Sequence, residues 1–175
     1  FFTLHAIATM IFDSVAFKNV ISSGLVLDAK GNKMSKHVGN VVNPFDMIEK
    51  YGSDAVRLYM MTNSEPWDNL KFDPEGVDEV RRKFFGTLYN TYSFFALYAN
   101  IDGFTGEEAQ VDIAKRPEID RWIISLLNTL VKEVTDAYES YEPTRAGRAI
   151  QDFVMENLSN WYVRLNRKRF WGGEM

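Results

Sequence analysis

From Asp73 onward the apolar residues of this chain recur at steps of three and four through three successive stretches. That spacing gathers them on one face of an α-helix and is incompatible with the two-residue alternation of a strand. In the first stretch Val77, Val80, Phe84, Leu88, Tyr92 and Phe95 share the face. Asp73 is a candidate N-cap there, with Pro74 at the first position and Glu75 in the first turn. The second helix starts near Pro117 and should bury Ile119, Ile123, Leu127, Leu130, Val134 and Ala137. Tyr141-Glu142-Pro143 forms a turn, after which Ala146, Ile150, Phe153, Val154, Leu158 and Trp161 mark the third helix. A polar loop with Gly103 and Gly106 spans 100–115. Three long amphipathic helices with short connections predict an antiparallel bundle. The rings of the first helix, among them Phe84, Phe85, Tyr89 and Phe94, read as bundle core and not as a ligand pocket.

Residues 1–72 read differently. Leu4, Ile7, Ala8 and Ile11 suggest a short amphipathic helix in which His5 is structural. Gly24-Leu25-Val26-Leu27 reads as a buried strand, and Asp28-Ala29-Lys30-Gly31-Asn32 has the chemistry of a tight turn. Asn43 and Pro44 open a helix through Phe45, Met47 and Ile48 that stops near Gly52, and Ser53-Asp54 starts another. Between strand and helices lies Lys33-Met34-Ser35-Lys36. Two lysines three residues apart, with a hydroxyl beside the second, suit a mobile grip on phosphate, because an ammonium on a flexible stem follows a phosphate as it moves. On these four residues alone, a solvated hairpin loop with two lysines fits equally well.

A second constellation closes the chain. Arg164, Arg167, Lys168 and Arg169 fall within six residues, interleaved with Trp161, Tyr162, Phe170 and Trp171 and with no acid among them. Cations for phosphate and rings for unpaired bases suit RNA. Cations also stabilise any helix C-terminus, so a solvated basic end weighs the same at this point. The formal net charge of −4 rules out a uniformly basic nucleic-acid binder, so RNA contact requires a local patch. Zero cysteines exclude disulfides and cysteine-held zinc, and two distant histidines, His5 and His37, make a metal site improbable. No stretch is long and apolar enough for a bilayer and no secretory pattern is present, which predicts a cytoplasmic protein.

Gly24 to Leu27, Gly31 to Lys36, Gly39-Asn40-Val41-Val42-Asn43-Pro44 and Tyr51 to Arg57 together resemble the second signature of class I aminoacyl-tRNA synthetases, in their isoleucyl, valyl and leucyl branch. Glu65 to Asp73 and Asn160 to Trp171 resemble the isoleucyl members in particular. His37 stands where many class I enzymes carry a second serine. The resemblance covers essentially the whole chain, and it implies an excised, mainly α fragment. Residues 1–72 would be a small α/β remnant of the catalytic domain with its KMSK-type loop, and 73–175 part of a helical anticodon-binding domain.

By the same resemblance the parent activates isoleucine with ATP and transfers it to the 3′ end of its tRNA, as a monomer. Lys36 first and then Lys33 would be catalytic, stabilising the departing pyrophosphate, with Met34 and Ser35 completing the ATP-binding loop. Mg²⁺ would accompany ATP without a protein site in this stretch, and Asp54 and Arg57 would brace the loop. Arg164, Arg167, Lys168, Arg169 and Trp171 would meet tRNA. Isoleucine would bind elsewhere in the parent, and the fragment alone would be inactive. A valyl-tRNA synthetase fragment and a non-catalytic helical RNA-binding module are the competing readings.

Overall fold

The computed structural model describes residues 1–171. Helix α1 (Phe2–Phe12) leads through an extended stretch to β1 (Val26–Leu27), and the lysine loop then precedes α2 (Pro44–Tyr51) and α3 (Ser53–Asn63). Strand β2 (Leu70–Lys71) lies parallel to β1, with Val26 opposite Leu70 and Leu27 opposite Lys71. Three helical rods follow. The first is α4 (Pro74–Val80), a π-helical segment Arg81–Phe85, and α5 (Gly86–Asp102) in continuous succession. After a loop with a 3₁₀ turn at Ile113–Lys115 comes the second, α6 (Glu118–Glu139). The third joins α7 (Pro143–Asp152), a π-helical segment Phe153–Val163, and α8 (Arg164–Trp171). The fold is therefore mainly α with a minimal sheet. Among the described residues no helix is long and apolar enough to cross a membrane.

Local chemistry sets the helix boundaries where the sequence predicts them. Asn43 Oδ1 accepts from the Phe45 amide at 3.1 Å, and Asp73 Oδ1 accepts from the Glu75 amide at 3.0 Å, each ahead of a proline that needs no donor partner. Gly52, at φ +86°, ends α2 and lets α3 leave in a new direction.

Burial departs from the sequence reading in five places. The predicted buried strand has only two residues, with Leu25 56% and Val26 41% exposed, because β2 is its only strand partner and nothing covers its outer face among the described residues. Helix α1 forms but buries none of its residues. In α5, Leu88, Tyr92 and Phe95 are exposed, while Thr87, Thr91, Phe94 and Tyr98 are half-buried. The π-helical segment holds more residues per turn than an α-helix, so the 3.6-residue spacing read from α4 does not carry the buried face into α5. Leu127 and Trp161 likewise face outward, and Leu126 takes the inward position expected of Leu127.

Two apolar clusters organise the molecule. The first holds Ala55, Val56, Tyr59, Leu70, Phe72 and Val77, with Met34 of the lysine loop packed against it. The second holds Phe84, Ile123, Phe153 and Val154, flanked by Leu58, Trp122, Leu126 and Ile150. Phe85 packs against both clusters. The closest joint between them is α7 across the end of α3. Thr144, fully buried, donates from Oγ1 to the Ser64 carbonyl at 3.0 Å, and Arg148 Nε donates to the Thr62 carbonyl at 2.9 Å. These carbonyls end a helix and have no partner within it, so the third rod satisfies groups whose burial would otherwise be costly.

Gly147 makes this approach possible. A Cβ at that position would lie 2.7 Å from Thr62 Cγ2, whose hydroxyl is already bonded to the Leu58 carbonyl. Gly147→Ala should force α3 and α7 apart and lower stability by about 1–3 kcal/mol, read from the urea midpoint at unchanged slope.

Candidate functional site

The lysine loop grows from a hairpin. The Gly31 amide donates to the Asp28 carbonyl and the Asp28 amide to the Asn32 carbonyl, each at 2.9 Å, with Gly31 at φ +87°, where a side chain would be strained. Lys33 then forms an isolated antiparallel bridge with Leu27, so the loop begins with a one-residue pairing beside β1. Ser35 to Gly39 forms a closed turn, in which the Val38 and Gly39 amides donate to the Ser35 carbonyl at 3.2 and 3.1 Å. The His37 amide donates to Ser35 Oγ at 3.2 Å. Met34 and Ser35 are half-buried, whereas Lys33 and Lys36 are exposed and take part in no ion pair among the described residues. Two unneutralised ammonium groups thus flank, along the chain, a segment anchored through Met34.

The bracing differs from expectation. Asp54 and Arg57 make no side-chain hydrogen bond or ion pair among the described residues; Asp28 and Asn40 brace the loop instead. Asp28 accepts from the Asn32 amide at 2.7 Å and from Asn40 Nδ2 at 2.9 Å. The Asn40 side chain, and after it the Asn32 amide, holds the Asp28 carboxyl below its ordinary range, so it stays charged. Sequence reading placed Asp28 in a turn and Asn40 in a motif without a partner for either. The signal was a pair of amide- and carboxylate-bearing residues flanking the two lysines. Lys71 was also missed. Paired with Leu27 on the other side of β1, it passes its stem over the hairpin, with Cε 3.2 Å from where a Gly31 Cβ would sit. A third cation thereby borders the loop.

At the C-terminal rod the structure separates the basic residues. Arg169 is engaged within the fold: its guanidinium donates to both Asp120 oxygens, at 2.7 and 2.8 Å, and to Asn166 Oδ1 at 3.0 Å. Tyr162 Oη also donates to Asp120, at 2.9 Å. Phe170 packs edge-on against Phe94 of α5, ring centroids 5.2 Å apart. Of the interleaved basic and aromatic residues, Arg169, Tyr162 and Phe170 therefore fix the third rod against α5 and α6. Arg164, Arg167, Lys168, Trp161 and Trp171 remain exposed, and none of these three cations is ion-paired among the described residues. Trp161 lines an open groove of about 580 Å³ with Ile119, Trp122 and Leu165. Among the described residues no three histidine, aspartate or glutamate side chains cluster to hold a metal.

Arg169, and next Tyr162, hold the Asp120 carboxyl below its ordinary value against the opposing effect of burial. A lowered folded-state value means that the contribution is present above the unfolded value of about 3.9 and is lost as pH falls through the folded one. Arg169→Ala should therefore lower stability at pH 7 by about 1–2 kcal/mol. The difference from the parent should shrink as denaturation is repeated at progressively lower pH.

Residues 1–73 match the family model of tRNA synthetases class I (I, L, M and V), and residues 120–175 match that of the anticodon-binding domain of tRNA ligase. The isoleucine–tRNA ligase of Bacteroides thetaiotaomicron is 75% identical over 99% of this chain, and that of Porphyromonas gingivalis is 74% identical over 100%. The enzyme of Thermus thermophilus is 49% identical over 99% of this chain. The chain spans 15% of the length of the first two relatives and 17% of the third. A crystal structure of a ternary complex of LeuRS, tRNA and LeuAMS from Agrobacterium radiobacter K84 superimposes with a TM-score of 0.68 at 20% identity, covering 98% of this chain and 24% of that one, and so shares its fold. High identity along the whole chain to isoleucine–tRNA ligases disfavours the valyl alternative. Along its whole length the chain therefore corresponds to one segment of isoleucine–tRNA ligases, its first part matching the class I tRNA synthetase model and its last part the anticodon-binding model.

Proposed function

We propose that this chain supplies two working parts of a longer isoleucine–tRNA ligase: the loop that grips the phosphates of ATP and a basic helix end that meets tRNA. The parent enzyme joins isoleucine to ATP and passes the acyl group to the tRNA 3′ end, in the cytoplasm and as a monomer. In the first step a carboxylate oxygen of the amino acid attacks the α-phosphorus, the bond to the β-phosphate oxygen breaks, and pyrophosphate departs. Negative charge builds on the leaving group as that bond lengthens. Cations already in place stabilise that state more than bound substrate, which is what raises rate.

Lys36 takes this role first and Lys33 second, with Ser35 and the loop amides helping to orient the phosphates. Mg²⁺ enters as part of the nucleotide substrate. The observation that carries the reading is the pair of unneutralised ammonium groups on a backbone anchored by Met34 and the hairpin. At the other end, Arg164, Arg167 and Lys168 contact tRNA phosphates and Trp171 offers a stacking face, while Arg169 acts from within the fold by holding α8. Residues 1–72 serve the catalytic domain and 73–175 the helical one, although Val77 of the second span completes the first apolar cluster. The chain alone lacks the amino-acid pocket and does not catalyse.

Lys36→Ala in the full-length enzyme should lower the rate of ATP–pyrophosphate exchange by about 100-fold, as for loss of one preorganised donor to a developing charge. Thermal stability should hold, because the side chain is exposed. Unchanged exchange would refute the assignment. Replacing Arg164, Arg167 and Lys168 together by Ala should flatten the slope of log affinity for tRNA against log salt by about 2. An unaltered slope would remove the RNA contact from this helix.

A further inference from the structure

We propose that Asn40, held by Asp28, is a positioning residue for this chemistry: its carboxamide closes the lysine loop into a ring and fixes the two points from which the ammonium groups extend. The inference rests on the role assigned above to Lys33 and Lys36. Asn40 Oδ1 accepts from the Ser35 amide at 2.8 Å. Its Nδ2 donates both to Asp28 Oδ2, at 2.9 Å, and to the Lys33 carbonyl, at 3.3 Å. One half-buried side chain thus ties the backbone on both sides of Met34 to the root of the hairpin.

Three of the four hydrogen-bonding positions of the amide are occupied, so its orientation is determined. Asp28 is itself tied to the hairpin through the Asn32 amide and side chain, at 2.7 and 3.3 Å. The closed turn from Ser35 to Gly39, with Gly39 at φ +73°, brings Asn40 back beneath the loop.

The chemistry needs a donor and an acceptor on the same side chain. Aspartate at position 40 would keep the acceptor for Ser35 but set a second carboxylate against Asp28, and alanine would keep none of the three bonds. The lysine stems are flexible, so the ordering of the loop rests on their roots. A loop without the clip has to be ordered as the pyrophosphate departs, and that raises the barrier. The loss therefore falls on kcat and leaves the affinity for ATP nearly untouched.

The test uses the full-length enzyme with Asn40→Ala, Asn40→Asp, Asp28→Ala and the Asp28→Ala/Asn40→Ala pair, with Lys36→Ala as reference, scored by ATP–pyrophosphate exchange and melting temperature. Asn40→Ala should lower kcat about tenfold, with KM for ATP within about twofold and the melting temperature unchanged. Asn40→Asp should be at least as slow. The double variant should be no slower than the slower single one, since both residues act through one ring. Multiplying losses, a fall in kcat that tracks a fall in melting temperature, or unchanged kcat in an enzyme that Lys36→Ala slows would each overturn the proposal while leaving the loop's role intact. Unchanged exchange in Lys36→Ala would overturn that role and this inference together.

Discussion

The structure depends on how the C-terminal end of α3 is finished. A helix end leaves carbonyl groups without partners, and here Thr144 and Arg148, one turn apart on α7, reach two of them. Gly147 supplies the close approach between those two residues. Leu58, from the same helix α3, packs into the second apolar cluster, while Val56 and Tyr59 belong to the first. A single helix therefore contributes to the core beneath the lysine loop through Val56 and Tyr59 and to the core of the rods through Leu58, while its end is bound by α7. The consequence is positional: the lysine loop and the basic helix end belong to one body.

Each end of that body follows the same logic, in which some polar side chains hold the fold and charged neighbours remain exposed and unpaired among the described residues. In the loop, Asp28 and Asn40 are satisfied by one another and by backbone, and Lys33 and Lys36 are left unneutralised. On α8, Arg169 is bound to Asp120, and Arg164, Arg167 and Lys168 are left exposed. Unpaired charge is thus kept beside charge already used for structure, and only the partners distinguish them.

That distinction explains what could be read from the sequence. Asn43-Pro44 and Asp73-Pro74 were legible because a cap acts within three residues, and the helical rods because apolar spacing is local. The lysine loop and its family resemblance were legible as contiguous motifs. Arg169 read as one of four equivalent cations because its partner Asp120 lies 49 positions away. The exposure of Leu25 and Val26 depended on which strand lies alongside and what covers it, neither of which is encoded nearby. Leu88, Tyr92 and Phe95 followed a helical period that the π-helical segment before them interrupts. Asn40 was visible as a residue but not as a clip, since its meaning lies in Asp28, twelve positions earlier.

Equilibrium unfolding of the 175-residue chain tests most directly whether the α3–α7 joint makes one body. Trp67 reports on the loop-bearing part, and Trp122, Trp161 and Trp171 report on the rods. Fluorescence can be followed in urea for a variant retaining only Trp67 and for another lacking only Trp67. The account predicts coincident transitions for the two, as in a single cooperative unit. Well-separated midpoints, with the loop-bearing part melting independently of the rods, would contradict it.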